Sequence, residues 1–303
     1  TLSRAALAAA AVAFVVIVLG AYVRLSHAGL GCPDWPGCYG ELTWPVESHE
    51  IEQANQAFPE RPVETAKAWK EMVHRYLAGI LVLLVVFINY LAWKPGSGSR
   101  QSRPVAGFLL VLILFQAALG MWTVTLKLMP LVVMGHLLGG LATFSLLLWL
   151  GWRSHPVPPG HDNLSYAPYR TAVLAGLLVL VAQLALGGWT SANYSALACP
   201  DFPTCQGQWW PDSNFEDGFV LWREIGVDYE GGVLDLPSRV AIHMAHRIGA
   251  LLTFIALGSL SLALLARNQT RAGGALLGAL LCAQVTLGIL NVWLYLPLPN
   301  AVA

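Results

Sequence analysis

Seven long apolar runs constrain the fold of this sequence more than any other feature. They cover residues 5–25, 72–93, 105–126, 131–151, 171–190, 239–266 and 272–296. A helix needs about 20 apolar residues to cross the hydrocarbon core of a bilayer, and each run is about that long. The first run is too long, and is followed by too many others, to be a cleaved signal peptide. We therefore predict an all-α polytopic membrane protein.

The composition supports this prediction. Charged residues make up 11% of the 303 residues, less than half of the ~25% that is usual in soluble domains. A water-soluble globular enzyme and a disordered chain are therefore excluded. The 17 basic and 17 acidic residues balance, so the chain has no excess positive charge that would attract nucleic acid.

The distribution of charge predicts the orientation in the membrane. The N-terminus and the short loops together carry eight basic residues and one acidic residue; these loops are 94–104, 152–170 and 267–271. Basic residues in short loops mark the cytoplasmic side. We therefore expect a bacterial inner (plasma) membrane protein with a cytoplasmic N-terminus. The long loops, 26–71 and 191–238, would then face the periplasm.

Four of the five cysteines lie in the long loops as two C-x5-C pairs, Cys32/Cys38 and Cys199/Cys205. Disulfides persist in an oxidising compartment such as the periplasm, so we interpret both pairs as disulfides. Zinc binding is the alternative, although zinc sites usually space their cysteines two to four residues apart. The fifth, Cys282, lies in an apolar run and is expected to be a small packing residue.

The sequence contains an internal repeat. The first long loop reads CPDWPGCYGELTWP from Cys32, and the second reads CPDFPTCQGQWWP from Cys199, 167 residues later. Matches at nearly the same separation flank these loops: Gly20 with Gly187, His74-Arg75 with His246-Arg247, and Gln116-x2-Leu119-Gly120 with Gln284-x2-Leu287-Gly288. Several matches in one order indicate a duplication.

The repeat unit contains four spans, so both copies cross the membrane in the same sense. We expect two tandem four-helix bundles related by a pseudo-two-fold axis. The first bundle would cover 1–152, a cytoplasmic linker 153–170, and the second bundle 171–303. Pro130 precedes His136 by six residues and its counterpart is Pro299, so we expect an eighth span with a histidine near position 305. A seven-span protein with an asymmetric second half is the alternative.

Three histidines lie near the predicted outer ends of spans: His74, His136 and His246. Ionisable residues at membrane depth are costly, and their presence there favours a functional role. The spans of His74 and His136 run in the same direction, so both imidazoles can lie at one level. Two imidazoles on facing helices are what a six-coordinate haem iron requires. His246 would pair in the same way with the residue near 305.

The two halves differ beside these histidines. The first contains Glu71-x-x-His74-Arg75, where the second contains His243-x-x-His246-Arg247. Residues three apart share a helix face, so Glu71 would lie over the His74 site and could act as a general base. Pairing of Glu71 with a nearby basic residue is the alternative. Arg75 and Arg247 could bind haem propionates or extend to the interface.

These motifs together resemble the haem A synthase family along essentially the whole chain. The resemblance rests on CPDWPxC, ExxHR in span 2, GHLLGG in span 4, CPDFPxC and HMAHR in span 6. It implies oxidation of the C8 methyl of haem O to a formyl group, which gives haem A, with water as the oxygen source. His74 and His136 would hold the substrate haem, and Glu71 would assist catalysis. His246 would hold a haem b cofactor, and His243 would be near it.

The resemblance also implies partners. Haem O would be the substrate, and an electron acceptor that the sequence does not identify would be required. Haem O synthase, terminal oxidase assembly factors and a second copy of the chain are candidate protein partners. The rival class is a di-haem b-type electron-transfer protein linked to quinol. It explains the histidines, but it does not explain the difference between Glu71 and His243 or the paired loop cysteines.

Overall fold

The structure is a computed structural model that describes residues 1–94, 102–155 and 167–302. It is all-helical within these residues, and it confirms the seven predicted spans as helices long and apolar enough to cross a membrane. These are α1 (Leu2–Leu25), α3 (Thr65–Trp93), α4 (Arg103–Thr125), α5 (Pro130–Arg153), α6 (Arg170–Ala192), α8 (Leu236–Leu265) and α9 (Arg271–Trp293). Three shorter helices are α2 (Ser48–Ala57), α7 (Phe215–Gly218) and α10 (Leu298–Val302). Arg100 and Asp162, which enter the charge count, lie outside the described residues.

The described chain forms two compact units. The first contains α1 to α5, and its four long helices form a closed ring in which α1 and α4 each pack against α3 and α5. Its core lies toward the ends of the helices that are predicted to be cytoplasmic. It is made of alanines of α1 and aliphatic residues of the other three: Ala6, Ala9, Ala10, Ala13, Leu81, Val85, Ile88, Leu109, Ile113, Leu147 and Leu150. Small residues allow helices to approach closely within a membrane.

Buried polar contacts connect neighbouring helices in each unit. In the first unit, Ser3 of α1 donates to the carbonyl of Gly151 at 2.9 Å, and Asn89 of α3 donates to the carbonyl of Ala106 at 2.7 Å. In the second unit, α6 and α9 each pack on α8, and Ser261 donates to the carbonyl of Gly274 at 2.8 Å. These bonds satisfy groups that would otherwise be unpaired in an apolar environment.

The two cysteine loops have the same local backbone. Cys32–Cys38 and Cys199–Cys205 are both disulfides, which confirms this interpretation over zinc binding. Each loop contains a cis peptide bond before its second proline. Within each loop an aspartate accepts two backbone N–H bonds: Asp34 from Tyr39 and Gly40 at 2.6 and 2.8 Å, and Asp201 from Gln206 and Gly207 at 2.6 and 3.0 Å. The repeat therefore extends to the backbone.

Cys282 does not match its prediction. Its side chain is exposed on α9 instead of packed among the described residues. Only Gly274 and Val292 of α9 are buried.

One segment of the second long loop, Arg223–Glu230, belongs to the first unit. The backbone N–H of Tyr229 donates to the carbonyl of Lys127 at 3.0 Å. Arg61 forms ion pairs with Asp228 at 2.8 Å and Glu230 at 2.5 Å. Burial lowers the pKa of Arg61, but the hydrogen bond to Glu230 and the two carboxylate charges outweigh this effect and raise the pKa overall. No sequence pattern indicated this packing.

Candidate functional site

Glu71 lies in the first turns of α3 and is almost completely buried, with 4% of its surface exposed. One carboxylate oxygen accepts a hydrogen bond from the guanidinium of Arg75 at 2.5 Å, and the other accepts from the backbone N–H of Cys32 at 2.9 Å. The carboxylate is therefore held from two sides, by its own helix and by the disulfide loop. The structure confirms that Glu71 pairs with Arg75 and places it one helical turn from His74; its role as a general base stays a prediction.

Arg75 also fastens the disulfide loop to α3. Its guanidinium donates to the backbone carbonyls of Asp34 at 2.9 Å and of Gly37. Arg247 does the same in the second unit, where it donates to the carbonyls of Asp201 at 2.7 Å and Thr204 at 2.8 Å. The structure thus places both guanidiniums on their loops, and contact of either with a haem propionate stays a prediction.

His74 and His136 lie in the first unit within electrostatic range of each other. In both side chains Nδ1 is enclosed, and a backbone group of the preceding long helix interacts with the ring, that of Val16 for His74 and that of Gln116 for His136, although the side chains as wholes are only partly buried. The accessible part of each ring is therefore on the Nε2 side. Nε2 is a nitrogen through which an imidazole can bind a metal.

Each histidine edge rests on a glycine of the preceding long helix. A Cβ atom at Gly20 would lie 3.0 Å from Cε1 of His74, and one at Gly120 would lie 3.4 Å from Cε1 of His136. The glycine spacing noted in the sequence thus has a physical reason, because a larger residue would displace the imidazole. By contrast, Gly288, the repeat counterpart of Gly120, has open space where its Cβ would lie.

The second unit repeats this arrangement around His246. A Cβ at Gly187 would lie 3.2 Å from its Cε1, and the side-chain nitrogen of Gln183 lies 3.0 Å from its Nδ1. His243, at the place of Glu71, is buried with its Nδ1 2.9 Å from the carbonyl oxygen of Ser195. Like Glu71, His243 therefore connects its helix to the preceding loop, but it does so with a neutral side chain instead of a carboxylate.

Gln183 was missed by the sequence reasoning. It lies four residues before Gly187, as Gln116 lies four before Gly120 and Gln284 four before Gly288. This Gln-x3-Gly spacing was the available signal. Glutamines also fill the space beside two glycines of the histidine-bearing helices α5 and α8. The side chain of Gln116 lies over Gly139, and that of Gln183 lies over Gly249.

The residues of the first unit fit an iron with two axial ligands. Two imidazoles offer Nε2 from two helices, and glycines keep their edges clear. Among the residues that the structure describes, no group of three or more histidine, cysteine or acidic side chains converges as a protein-only metal site requires. A porphyrin supplies the remaining four ligands of its iron, so this donor set suits a haem and not a bare metal ion.

These helices and histidines define a multi-pass membrane protein with a two-histidine site. The family model described as cytochrome oxidase assembly protein (COX15-CtaA) matches residues 3–303, and the chain belongs to this family. A haem A synthase of Shewanella oneidensis is 48% identical over 289 residues, which cover 95% of this chain and 87% of that protein. The resemblance found in the sequence is therefore confirmed.

More distant relatives carry the same name. A haem A synthase of Allorhizobium ampelinum is 24% identical over 317 residues, covering 96% of this chain and 82% of that protein. For a haem A synthase of Halalkalibacterium halodurans the match is 29% identity over 203 residues, covering 65% of this chain and 61% of that protein.

Proposed function

We propose that this protein is a membrane-bound oxidoreductase that converts haem O to haem A by oxidising the C8 methyl group to a formyl group. The observation that carries the proposal is the presence of His74 and His136 on two helices of one unit, with the buried carboxylate of Glu71 one turn from His74. The names of the relatives support the same reaction. The pair of imidazoles would bind the iron of haem O, the substrate.

The proposed chemistry uses water as the oxygen source. Removal of two electrons and one proton from the methyl group leaves a cation that is stabilised by conjugation with the porphyrin. Water adds to it and loses a proton, which gives a hydroxymethyl group. A second round gives a hydrated aldehyde, and loss of water leaves the formyl group. In total, one methyl group and one water yield one formyl group, four protons and four electrons, and the electrons pass to an external electron acceptor.

Glu71 is proposed to accept a proton from the reacting methyl group. Arg75 and the Cys32 N–H occupy one lone pair on each carboxylate oxygen, which leaves further lone pairs for the proton. The same bonds fix the carboxylate, and a positioned base typically contributes about 10²- to 10⁴-fold to a rate. Arg75 and the disulfide loop would act through this positioning.

We propose that the second unit would hold a haem b through His246. Such a haem supplies one-electron redox chemistry when bound. The imidazole edge of His246 would rest on Gly187. His243 would remain hydrogen-bonded to the Ser195 carbonyl. We further propose the bacterial inner membrane as the location, with periplasmic disulfide loops. Haem O synthase, oxidase assembly factors and a second copy of the chain remain candidate partners.

Conversion of added haem O by the purified protein tests the proposal, with haem A measured by mass spectrometry. Glu71→Gln keeps the shape of the side chain and an oxygen for the Cys32 N–H, but loses the base. We expect this variant to bind haem with an unchanged spectrum and to form product at least 100-fold more slowly. Glu64→Gln is the matched control, because Glu64 is an exposed carboxylate at the start of the same helix.

Two outcomes would contradict the proposal. Normal haem A formation by Glu71→Gln would exclude Glu71 as the base. Bound, reducible haem without any haem A from the wild-type protein would favour the electron-transfer alternative. The oxygen source is tested with ¹⁸O-labelled water, by measuring the label in the hydroxymethyl product, because that C–O bond does not exchange with solvent.

A further inference from the structure

The three membrane histidines share one environment but differ in a single contact. Each rests on a glycine of the preceding long helix, and the residue four positions before that glycine faces the histidine from one turn away. This residue is Val16 for His74, Gln116 for His136 and Gln183 for His246. Only the last forms a side-chain hydrogen bond to its histidine among the described residues.

Gln183 is tied to His246 at two points. Its side-chain nitrogen lies 3.0 Å from Nδ1 of the ring and donates to the backbone carbonyl of the same residue at 3.1 Å. The amide lies flat over Gly249, where a Cβ would come within 2.3 Å of the amide oxygen. Glycine at this position therefore makes room for the contact.

In the first unit the equivalent contact is not made. The amide nitrogen of Gln116 is enclosed without a hydrogen-bond partner among the described residues, and only backbone groups interact with the rings there, that of Gln116 with His136 and that of Val16 with His74. Gln116 lies over Gly139 as Gln183 lies over Gly249, yet it does not bond to the ring. For His74 the equivalent side chain is Val16, which has no polar group.

We propose that Gln183 is a positioning residue that fixes His246 as the ligand of a resident haem, through a side-chain hydrogen bond of a kind that neither histidine of the first unit forms among the described residues. This inference rests on the proposed haem site of the second unit. An imidazole that binds iron through Nε2 carries its proton on Nδ1 and needs an acceptor there. In the haem-bound form the Gln183 amide would be turned by a half-turn, so that its oxygen accepts from Nδ1–H and its bond to the His246 carbonyl is given up; the amide nitrogen and oxygen are nearly indistinguishable by position.

The contact has two physical consequences. Loss of a hydrogen-bonding partner behind a metal-bound histidine typically weakens metal binding 10- to 100-fold. The same bond gives the imidazole more negative character, which favours ferric over ferrous iron. Removing it should therefore shift the haem toward reduction, by up to about tenfold in the equilibrium constant, or about 59 mV for a one-electron couple.

The test uses the full-length protein with His74→Ala, so that the haem signal comes from the second unit. Gln183→Leu is compared with Gln183→Glu, which retains an acceptor oxygen, and with the matched control Gln116→Leu. Transfer of haem to excess apomyoglobin measures retention, and a spectroelectrochemical titration measures the midpoint potential. We expect Gln183→Leu to release haem at least tenfold faster and to have a higher midpoint potential. Gln183→Glu and Gln116→Leu should both retain haem as the parent does.

The outcomes are separable. If further substitution of His246 by Ala removes no haem, the proposed second site is wrong, and the role of Gln183 is wrong with it. If that haem depends on His246 but Gln183→Leu matches Gln116→Leu in release rate and potential, only the positioning role is wrong. If Gln183→Leu holds no haem at all, retention by Gln183→Glu supports the hydrogen bond. Loss in both variants would mean that the side chain serves only packing.

Discussion

Arg75 and Arg247 form a matched pair that isolates the contribution of one buried carboxylate. Both guanidiniums donate to several carbonyls of a disulfide loop with nearly the same backbone. Only Arg75 also binds a carboxylate, that of Glu71, at 2.5 Å, and the two side chains are 12% and 5% exposed. Substitution of either arginine by methionine removes the loop contacts. Substitution of Arg75 also leaves a buried charge without its cationic partner, held only by backbone hydrogen bonds such as that from the Cys32 N–H.

The expected difference follows from that carboxylate. Removing one member of a buried ion pair costs about 3–5 kcal/mol, and we expect the lower end because the Cys32 N–H remains bonded. Arg75→Met should therefore destabilise the protein by about 3 kcal/mol more than Arg247→Met. The double variant with Glu71→Gln should recover most of this difference, because the amide that replaces the carboxylate is neutral.

Denaturant unfolding of the protein in detergent, followed by tryptophan fluorescence, measures these free energies of unfolding. The four variants Arg75→Met, Glu71→Gln, their combination and Arg247→Met are compared with the parent under one condition. Equal destabilisation by the two arginine substitutions would refute the reasoning. So would an absence of coupling between positions 71 and 75, because it would mean that the short contact contributes nothing.

Three further predictions concern other contacts. Gly20→Ala would place a Cβ 3.0 Å from Cε1 of His74, and overpacking of about 1.4 kcal/mol would weaken haem retention by about tenfold in a haem-transfer assay. Burial raises the pKa of Tyr39 from 10.0 to about 12. The neutral phenol therefore contributes its full stabilisation below pH 10. Unfolding experiments should show the free energy of unfolding falling as the pH rises from about 10 to 12. Arg61→Gln removes both ion pairs to the segment Arg223–Glu230, and limited proteolysis should cut that segment faster.

Each has a control. Gly79→Ala adds a methyl group on α3 where nothing lies within 4 Å, so haem retention should be unchanged. Tyr39→Phe should remove the alkaline loss of stability, and persistence of that loss would assign it to another group. Lys67→Gln removes an ion pair on the same unit that involves only α3 and Glu64, and it should leave the cleavage rate of Arg223–Glu230 unchanged.

Much of the site was predictable because it follows from local periodicity. Residues three or four apart on a helix share a face, so Glu71, His74 and Arg75 were expected at one place. The cysteine pairs were predictable from compartment and spacing. The bond between Glu71 and the Cys32 N–H was not, because it joins residues 39 apart in the chain. Gln183 and His246 are 63 apart, and their contact depends on how α6 and α8 pack.

The sequence by itself determined the number of long helices, the duplication and the residues able to bind a haem. These properties depend on hydrophobicity and residue order, which need no partner to express them. Tertiary structure alone decided which groups those residues contact. Packing places the guanidiniums of Arg75 and Arg247 against loop carbonyls. It brings the side chain of Gln183, but not that of Gln116, within hydrogen-bond distance of a histidine ring. It also places Arg223–Glu230 in the first unit. The physical reason is that a hydrogen bond requires two groups within about 3 Å, and for residues distant in sequence only packing brings them that close.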